Sequence, residues 1–159
     1  MKKKILVENG LSYADAIRGL GEITGDTADF LLRPEDYSMV LFTGGADVSP
    51  YLYGDKSPLD MCFCNPVRDE KEIRVASTAK MNDIIMCGIC RGAQFLNVFA
   101  GGRMMHHIEN HTGTRHPMAA NVLKHTIQVN SLHHQMIIPG DGCHVVGWAP
   151  NNLSDVYYG

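Results

Sequence analysis

The sequence lacks the features that mark nucleic-acid-binding and membrane proteins. Its 159 residues carry 14 lysines and arginines against 17 aspartates and glutamates, a formal net charge of −3. There is no basic surplus that would favour nucleic acid or an acidic membrane surface. The longest basic run, residues 2–4, precedes an apolar stretch too short for a signal peptide or a membrane span. We therefore expect a cytoplasmic protein with neither nucleic acid nor membrane among its partners.

The number of cysteines is odd. With five cysteines and no export signal, free thiols are favoured over a disulfide framework. A zinc site is an alternative interpretation of three cysteines and a cluster of four histidines. They are Cys62, Cys64, Cys87, His106, His107, His111 and His116. No second Cys-x-x-Cys pair accompanies Cys87 and Cys90, so we predict no metal. We expect the histidines on a solvated or partly covered loop.

Apolar segments alternate with helical patterns along the chain. Six segments are typical of strands: residues 4–7, 29–32, 39–43, 83–87, 123–129 and 144–148. Three are typical of helices: residues 15–20, 68–80 and 91–100. This order predicts the α/β class, a doubly wound, mainly parallel sheet with helices on both faces. In such sheets, ligands bind at the carboxyl ends of the strands.

A Gly-x-Cys-x-Gly segment, residues 88–92, follows one predicted strand and precedes a helix. Small residues two positions before and after a sharp strand-to-helix turn relieve crowding, and the central side chain then stands exposed. The helix N-terminus favours a thiolate. Cys90 is therefore a candidate nucleophile. The alternative is a buried cysteine in a glycine-rich turn.

A second glycine segment, residues 43–47, also follows a predicted strand. Attack of a thiolate on an amide carbonyl creates an oxyanion, and each backbone N–H aimed at that oxygen is worth about 3 kcal/mol. The residue after the nucleophile, Arg91, would supply one amide. Gly45 would supply the other, since no side chain blocks its approach. An ordinary glycine turn is the alternative.

Polar side chains are concentrated in residues 130–135, directly after another predicted strand. A histidine there could contact substrate or act as a base. A polar turn without function is the alternative interpretation.

Together these segments resemble the class I glutamine amidotransferase-like superfamily, and most closely its gamma-glutamyl-gamma-aminobutyrate hydrolase branch. The resemblance is carried in order by residues 41–50 (LFTGGADVSP) with Tyr53-Gly54, residues 88–98 (GICRGAQFLNV) with Gly101-Gly102, and residues 129–135 (VNSLHHQ). These blocks span most of residues 40–135. Before about residue 35 only the general strand and helix pattern matches.

The resemblance implies a hydrolase that cleaves a gamma-glutamyl amide through a cysteine thioester. Cys90 would be the nucleophile, and the amides of Gly45 and Arg91 would form the oxyanion hole. Residues that would contact the small-molecule gamma-glutamyl substrate are Gln94, Ser131, His133 and His134. The resemblance implies no cofactor and no metal.

One departure concerns the base and its orienting acid, which the family takes from a late His-Pro-Glu. No His-x-Glu follows His134. Three interpretations are open. The first is a fragment, a single domain over 1–159 lacking the last C-terminal strands. The second is a short member without hydrolysis, a module that binds a glutamyl ligand. The third is a member that uses His133 or His134 as base. Missing strands would leave an open sheet edge, which either lowers solubility or favours a homo-oligomer.

Overall fold

A four-stranded parallel sheet forms the centre of the N-terminal half. The structure is a computed structural model, and it describes residues 3–56, 61–109, 111–121, 123–149 and 156–157. The strands of this sheet are β1 (Lys4–Glu8), β2 (Glu22–Thr24), β3 (Tyr37–Phe42) and β4 (Ile85–Gly88). They lie in the order β2-β1-β3-β4, and all pairs are parallel. The carboxyl ends of β3 and β4 are therefore neighbours, with Phe42 opposite Gly88.

Three α-helices accompany the sheet: α1 (Thr27–Leu32), α2 (Pro66–Met81) and α3 (Arg91–Phe99). Short 3-10 helices cover Leu11–Ile17, Pro34–Asp36 and Pro50–Tyr53. Helix α2 begins at a clear cap, because the Asn65 side chain accepts from the amide of Arg68 and Pro66 occupies the first turn. None of the described helices has both the length and the apolar character that a membrane span requires.

The core lies on both faces of the parallel sheet. Side chains alternate along a strand, so Leu6 faces one side while Ile5 and Val7 face the other. The first side packs against the α-helices and includes Phe42 and Phe95, whose ring centroids are 5.2 Å apart. The second side packs against the 3-10 helix of residues 11–17. The α/β class with a mainly parallel central sheet is thus confirmed.

The C-terminal half consists of short antiparallel strands. They are β5 (Arg103–Met105), β6 (His107–Ile108), β7 (Thr112–Ala120), β8 (Ile127–Leu132), β9 (Met136–Ile138), β10 (Gly147–Trp148) and β11 (Val156–Tyr157). Strands β7 and β8 pair with each other, and β10 extends that sheet. Strand β5 pairs with β9, and β6 with β11. Antiparallel pairing brings residues 131–138 back toward the end of α3.

Two of the predicted elements are wrong. Residues 29–32 belong to helix α1, because the Asp26 side chain accepts from the amide of Asp29 and starts a helix there. The strand in this region is β2, which comes earlier in the chain. Residues 15–20 do not form the predicted helix, since the 3-10 helix ends at Ile17. The strands predicted over residues 123–129 and 144–148 begin three or more residues late, as β8 and β10.

Phe42 provides a test of this core. Its side chain is fully buried between the sheet and α3. We expect Phe42→Ala to lower the free energy of unfolding by about 3–5 kcal/mol, measured by urea denaturation. Leu32→Ala is the matched control, because Leu32 is 80% exposed, and it should change stability by less than about 0.5 kcal/mol. Equal effects of the two substitutions would contradict this packing.

Candidate active site

Cys90 occupies a strained turn between β4 and α3. Its backbone has φ +55° and ψ −119°, which L residues rarely adopt, and the residue is exposed. Crowding at this turn explains the flanking glycines. A Cβ on Gly92 would lie 2.2 Å from the carbonyl oxygen of Phe42, and a Cβ on Gly88 would lie 2.4 Å from the amide of Ala93. The backbone geometry expected of a nucleophile elbow is present.

The glycine loop after β3 lies against this turn. A Cβ placed on Gly44 would be 3.6 Å from the Cβ of Cys90. Gly45 has φ +140°, a conformation suited to glycine alone. Within the described residues, the amides of Gly45 and Arg91 donate no hydrogen bond. These two N–H groups follow β3 and β4 at the same edge of the sheet, and they are the ones that an oxyanion hole at Cys90 would use.

The side chain of Arg91 points into the protein. It is 1% exposed and forms ion pairs with Asp69 and Glu72, both of which are fully buried. Its Nε donates to the carbonyl oxygen of Ala46 at 3.0 Å. Burial, followed by repulsion from Arg68, lowers the pKa of Arg91 to about 10, so the guanidinium stays charged at neutral pH. The charge of Arg91 is therefore neutralised inside the protein by Asp69 and Glu72.

A histidine–carboxylate pair joins the glycine loop to the polar segment. The Nε2 of His134 is 3.1 and 3.2 Å from the two carboxylate oxygens of Asp47. Asp47 is held in turn by Phe63, whose amide donates to its carboxylate at 2.9 Å. A carboxylate on one ring nitrogen fixes the orientation and tautomer of an imidazole. His134 therefore has the carboxylate partner that would orient it as a base.

The other residues predicted to contact substrate lie close by. Gln94, on the first turns of α3, donates to the backbone oxygen of Gln135 at 3.4 Å. His133 donates through Nδ1 to the same oxygen at 2.8 Å. Ser131 is buried, with its hydroxyl 3.1 Å from Nδ1 of His111. The structure therefore brings the second and third sequence blocks together at this edge.

The loop placement predicted for the histidines is wrong for His107 and His116, which lie on strands β6 and β7. The predicted solvation is wrong for the other two, His106 and His111, because both are buried. His106 is fully buried, with Nε2 3.2 Å from Asp55 and Nδ1 3.2 Å from the hydroxyl of Tyr53. His111 is 4% exposed, and its ring packs against those of His116 and His133 at 4.9 and 5.1 Å. Burial lowers the pKa of His111, and the neighbouring histidines lower it further.

Two observations bear on the zinc alternative. Cys64, Cys87, Cys90 and Cys143 are free thiols, as expected. Across the described ranges, no group of three or more histidine, cysteine, aspartate or glutamate side chains is arranged to hold a metal ion.

Four charged residues in or next to the glycine loop were not predicted to belong to the site: Asp47, Arg68, Asp69 and Glu72. A signal was present for two of them. Asp69 and Glu72 precede Ala76 and Ala79 at helical spacing, which places two acids on the face predicted to be buried. Buried acids require cationic partners, and here these are Arg68 and Arg91.

Residues 34–155 match the model of the Peptidase C26 family. The chain belongs to this family. As a Peptidase C26 member it also has sequence relatives among glutamine amidotransferase-like proteins. The protein YvdE of Lactococcus lactis subsp. lactis is 33% identical over 117 residues, which are 62% of this chain and 50% of that protein. One from Rickettsia prowazekii is 36% identical over 106 residues, 63% of this chain and 37% of that protein.

A solved structure shows the same fold. The glutamine amidotransferase of Thermotoga maritima aligns with a TM-score of 0.66 at 16% identity, over 92% of this chain and 67% of that chain. The resemblance to the class I glutamine amidotransferase-like superfamily is thus confirmed, while its gamma-glutamyl-gamma-aminobutyrate hydrolase branch stays a prediction. The Peptidase C26 chain spans about half the length of the Lactococcus relative.

The elbow can be tested at Gly92. An added Cβ would meet the backbone of Phe42, which has no room to move away. We expect Gly92→Ala to lower the free energy of unfolding by about 1–3 kcal/mol in urea denaturation. Gly25→Ala is the control, since the nearest atom to its Cβ would be 3.7 Å away, an ordinary contact. A neutral effect of both substitutions would contradict the close approach of Gly92 on α3 to Phe42 on β3.

His111 predicts a pH dependence of stability. Its pKa is lowered in the folded state, so the unfolded chain binds more protons once the pH falls below about 6.5. The contribution of neutral His111 is present above that pH and is lost as the pH falls toward the folded pKa. We expect the free energy of unfolding to decline less steeply with acidification in His111→Asn, and as steeply as wild type in His125→Asn, where the histidine is exposed. Three parallel curves would contradict the assignment.

Proposed function

We propose that this Peptidase C26 chain carries the nucleophile and oxyanion hole of a cysteine hydrolase that cleaves gamma-glutamyl amide bonds. Its substrates would be glutamine or a gamma-glutamyl amine such as gamma-glutamyl-gamma-aminobutyrate. The observation that carries the proposal is the exposed Cys90 on a strained elbow beside the unoccupied amides of Gly45 and Arg91. Family membership and the glutamine amidotransferase-like relatives support the same chemistry.

The reaction follows from these groups. The thiolate of Cys90 attacks the side-chain carbonyl carbon of the glutamyl group, and the carbonyl oxygen becomes an oxyanion. The amides of Gly45 and Arg91 would hold that charge. Collapse of this intermediate breaks the C–N bond, the amine leaves with a proton, and a gamma-glutamyl thioester remains. Water then attacks the thioester, releasing glutamate and regenerating the thiol.

His134 is the candidate base among the two histidines of the polar segment. Its Nε2 pairs with the carboxylate of Asp47, whereas the Nδ1 of His133 is occupied by the backbone oxygen of Gln135. A base oriented by a carboxylate is the arrangement that activates a cysteine nucleophile. Gln94 would lie on the glutamyl side of the site, with Ser131 and His133 behind it.

A second candidate function is a module that binds a glutamyl ligand without hydrolysing it. The observation that favours it is the isolation of the nucleophile: within the described part of the chain, no side chain hydrogen-bonds the thiol of Cys90. Without an activating base, a site keeps ligand binding and the oxyanion hole but loses most of its rate.

Covalent labelling with the glutamine analogue 6-diazo-5-oxo-norleucine tests the nucleophile. The sulfur forms a bond to the carbon that carries the diazo group, dinitrogen leaves, and the thiol proton ends on that carbon. We expect one label per chain, located on Cys90 by peptide mass spectrometry. Labelling should vanish in Cys90→Ala and persist in Cys143→Ala, because Cys143 is an exposed cysteine outside the elbow. Labelling that persists in Cys90→Ala would refute the proposed nucleophile.

Ammonia release from glutamine, and amine release from gamma-glutamyl-gamma-aminobutyrate, separate the two candidate functions. Turnover that is lost in Cys90→Ala supports the hydrolase. Thermal stabilisation by glutamine without any turnover supports the binding module. His134→Gln should reduce turnover by about 10²-fold or more if His134 is the base, while leaving glutamine-dependent stabilisation in place.

A further inference from the structure

The guanidinium of Arg68 contacts the glycine loop from behind. Arg68 lies on the first turn of α2, and its side chain is 12% exposed. Its Nη2 donates to the carbonyl oxygen of Thr43 at 2.8 Å, and its Nη1 donates to that of Gly44 at 3.0 Å. The guanidinium leaves no room for a side chain at Gly45, because an added Cβ there would lie 2.2 Å from Nη1. One planar cation therefore fixes two successive carbonyl groups of the loop.

A second arginine fixes the next part of the loop. Nε of Arg91 donates to the carbonyl oxygen of Ala46 at 3.0 Å. The two guanidinium groups come from different helices and are bridged by Glu72, which pairs with Nε of Arg68 at 2.8 Å and with Arg91. Glu72 also accepts from the side chain of Asn9 at 2.6 Å. The carbonyl groups of residues 43, 44 and 46 are thus all bound to a single buried charge network.

Peptide geometry connects these carbonyl contacts to the site. In a trans peptide unit, the carbonyl of one residue and the N–H of the next point in opposite directions. No described peptide bond is cis. With the Gly44 carbonyl directed at Arg68, the Gly45 N–H must point away from Arg68 and from α2. That N–H has no partner among the described residues. The loop contacts Cys90 through Gly44, the residue just before it.

We propose that Arg68 is a positioning residue: by holding the carbonyl groups of Thr43 and Gly44, it aims the Gly45 amide at the oxyanion. This inference rests on the proposed hydrolase function and extends it to a residue that does not touch the substrate. Without the guanidinium, the glycine-rich loop would regain its freedom to rotate the 44–45 peptide unit, since glycine has few steric limits. Ground-state binding through Gln94 and the reactivity of the thiol itself would be unaffected.

Two electrophiles separate positioning from a general structural role. The ketone oxygen of 6-diazo-5-oxo-norleucine corresponds to the scissile carbonyl oxygen and needs the oxyanion hole, whereas iodoacetamide needs only an accessible thiol. We expect Arg68→Met to lower the maximal rate of labelling of Cys90 by the ketone at least tenfold, in line with the loss of one oxyanion donor. The concentration for half-maximal rate, and the rate with iodoacetamide, should stay within about twofold.

Two further variants complete the test. Arg68→Lys can reach only one of the two carbonyl oxygens, so it should recover part of the lost rate. Arg74→Met is the control, because Arg74 is an exposed arginine on the same helix, and it should react like wild type. If Arg68→Met lowered both labelling rates and the melting temperature together, and Arg68→Lys recovered none, the role would be structural and the proposal would be overturned.

The outcomes also distinguish this inference from the proposed function. Wild-type protein whose Cys90 takes no label from the ketone would refute the hydrolase proposal, and the positioning role with it. Wild-type protein that is labelled on Cys90, together with an Arg68→Met variant labelled equally fast, would refute the positioning role alone.

Discussion

A buried network of two arginines and two carboxylates holds the site together. Asp69 and Glu72 have no exposure, and Arg91 has 1%. Charges buried to this degree are stable only if each is paired and hydrogen-bonded, and removing one partner costs about 3–5 kcal/mol. The network joins α2, the start of α3 and the loop after β3. Its geometry therefore determines where the backbone amides of that loop point.

The second constraint is the absence of space between β3 and the turn after β4. The backbone of Phe42 leaves no room for a side chain at Gly92, and this close approach forces Cys90 into its strained conformation. The strained turn at Cys90 and the buried arginines on the glycine loop therefore lie next to each other. The close contact exposes the thiol, and the arginines orient the loop that faces it. In the proposed mechanism, backbone groups alone would hold the developing negative charge, on the edge of the sheet where ligands bind in α/β proteins.

The parts of the molecule that could be predicted from sequence are those with a local signature. The apolar strands predicted over residues 4–7, 39–43 and 83–87 fall in this class, and each lies within two residues of its predicted position. The Gly-x-Cys-x-Gly turn and the second glycine loop also follow their strands as predicted. Residues 29–32 show the limit of that approach, because a cap at Asp26 outweighed a short apolar run. The histidine–carboxylate pair of His134 and Asp47 joins residues 87 positions apart. Contacts of that range, including both arginines on the glycine loop, have no signal in a single sequence.

The central claim is that the amides of Gly45 and Arg91 bind the negatively charged oxygen during attack by Cys90. Proton NMR of nitrogen-15-labelled protein, before and after reaction with 6-diazo-5-oxo-norleucine, tests this directly, because an amide proton moves downfield when it enters a hydrogen bond to the ketone oxygen. The account predicts downfield shifts of the Gly45 and Arg91 amide protons, with those of Gly54 and Gly101, which lie outside the site, unchanged. A protein labelled on Cys90 in which neither amide responds would contradict it.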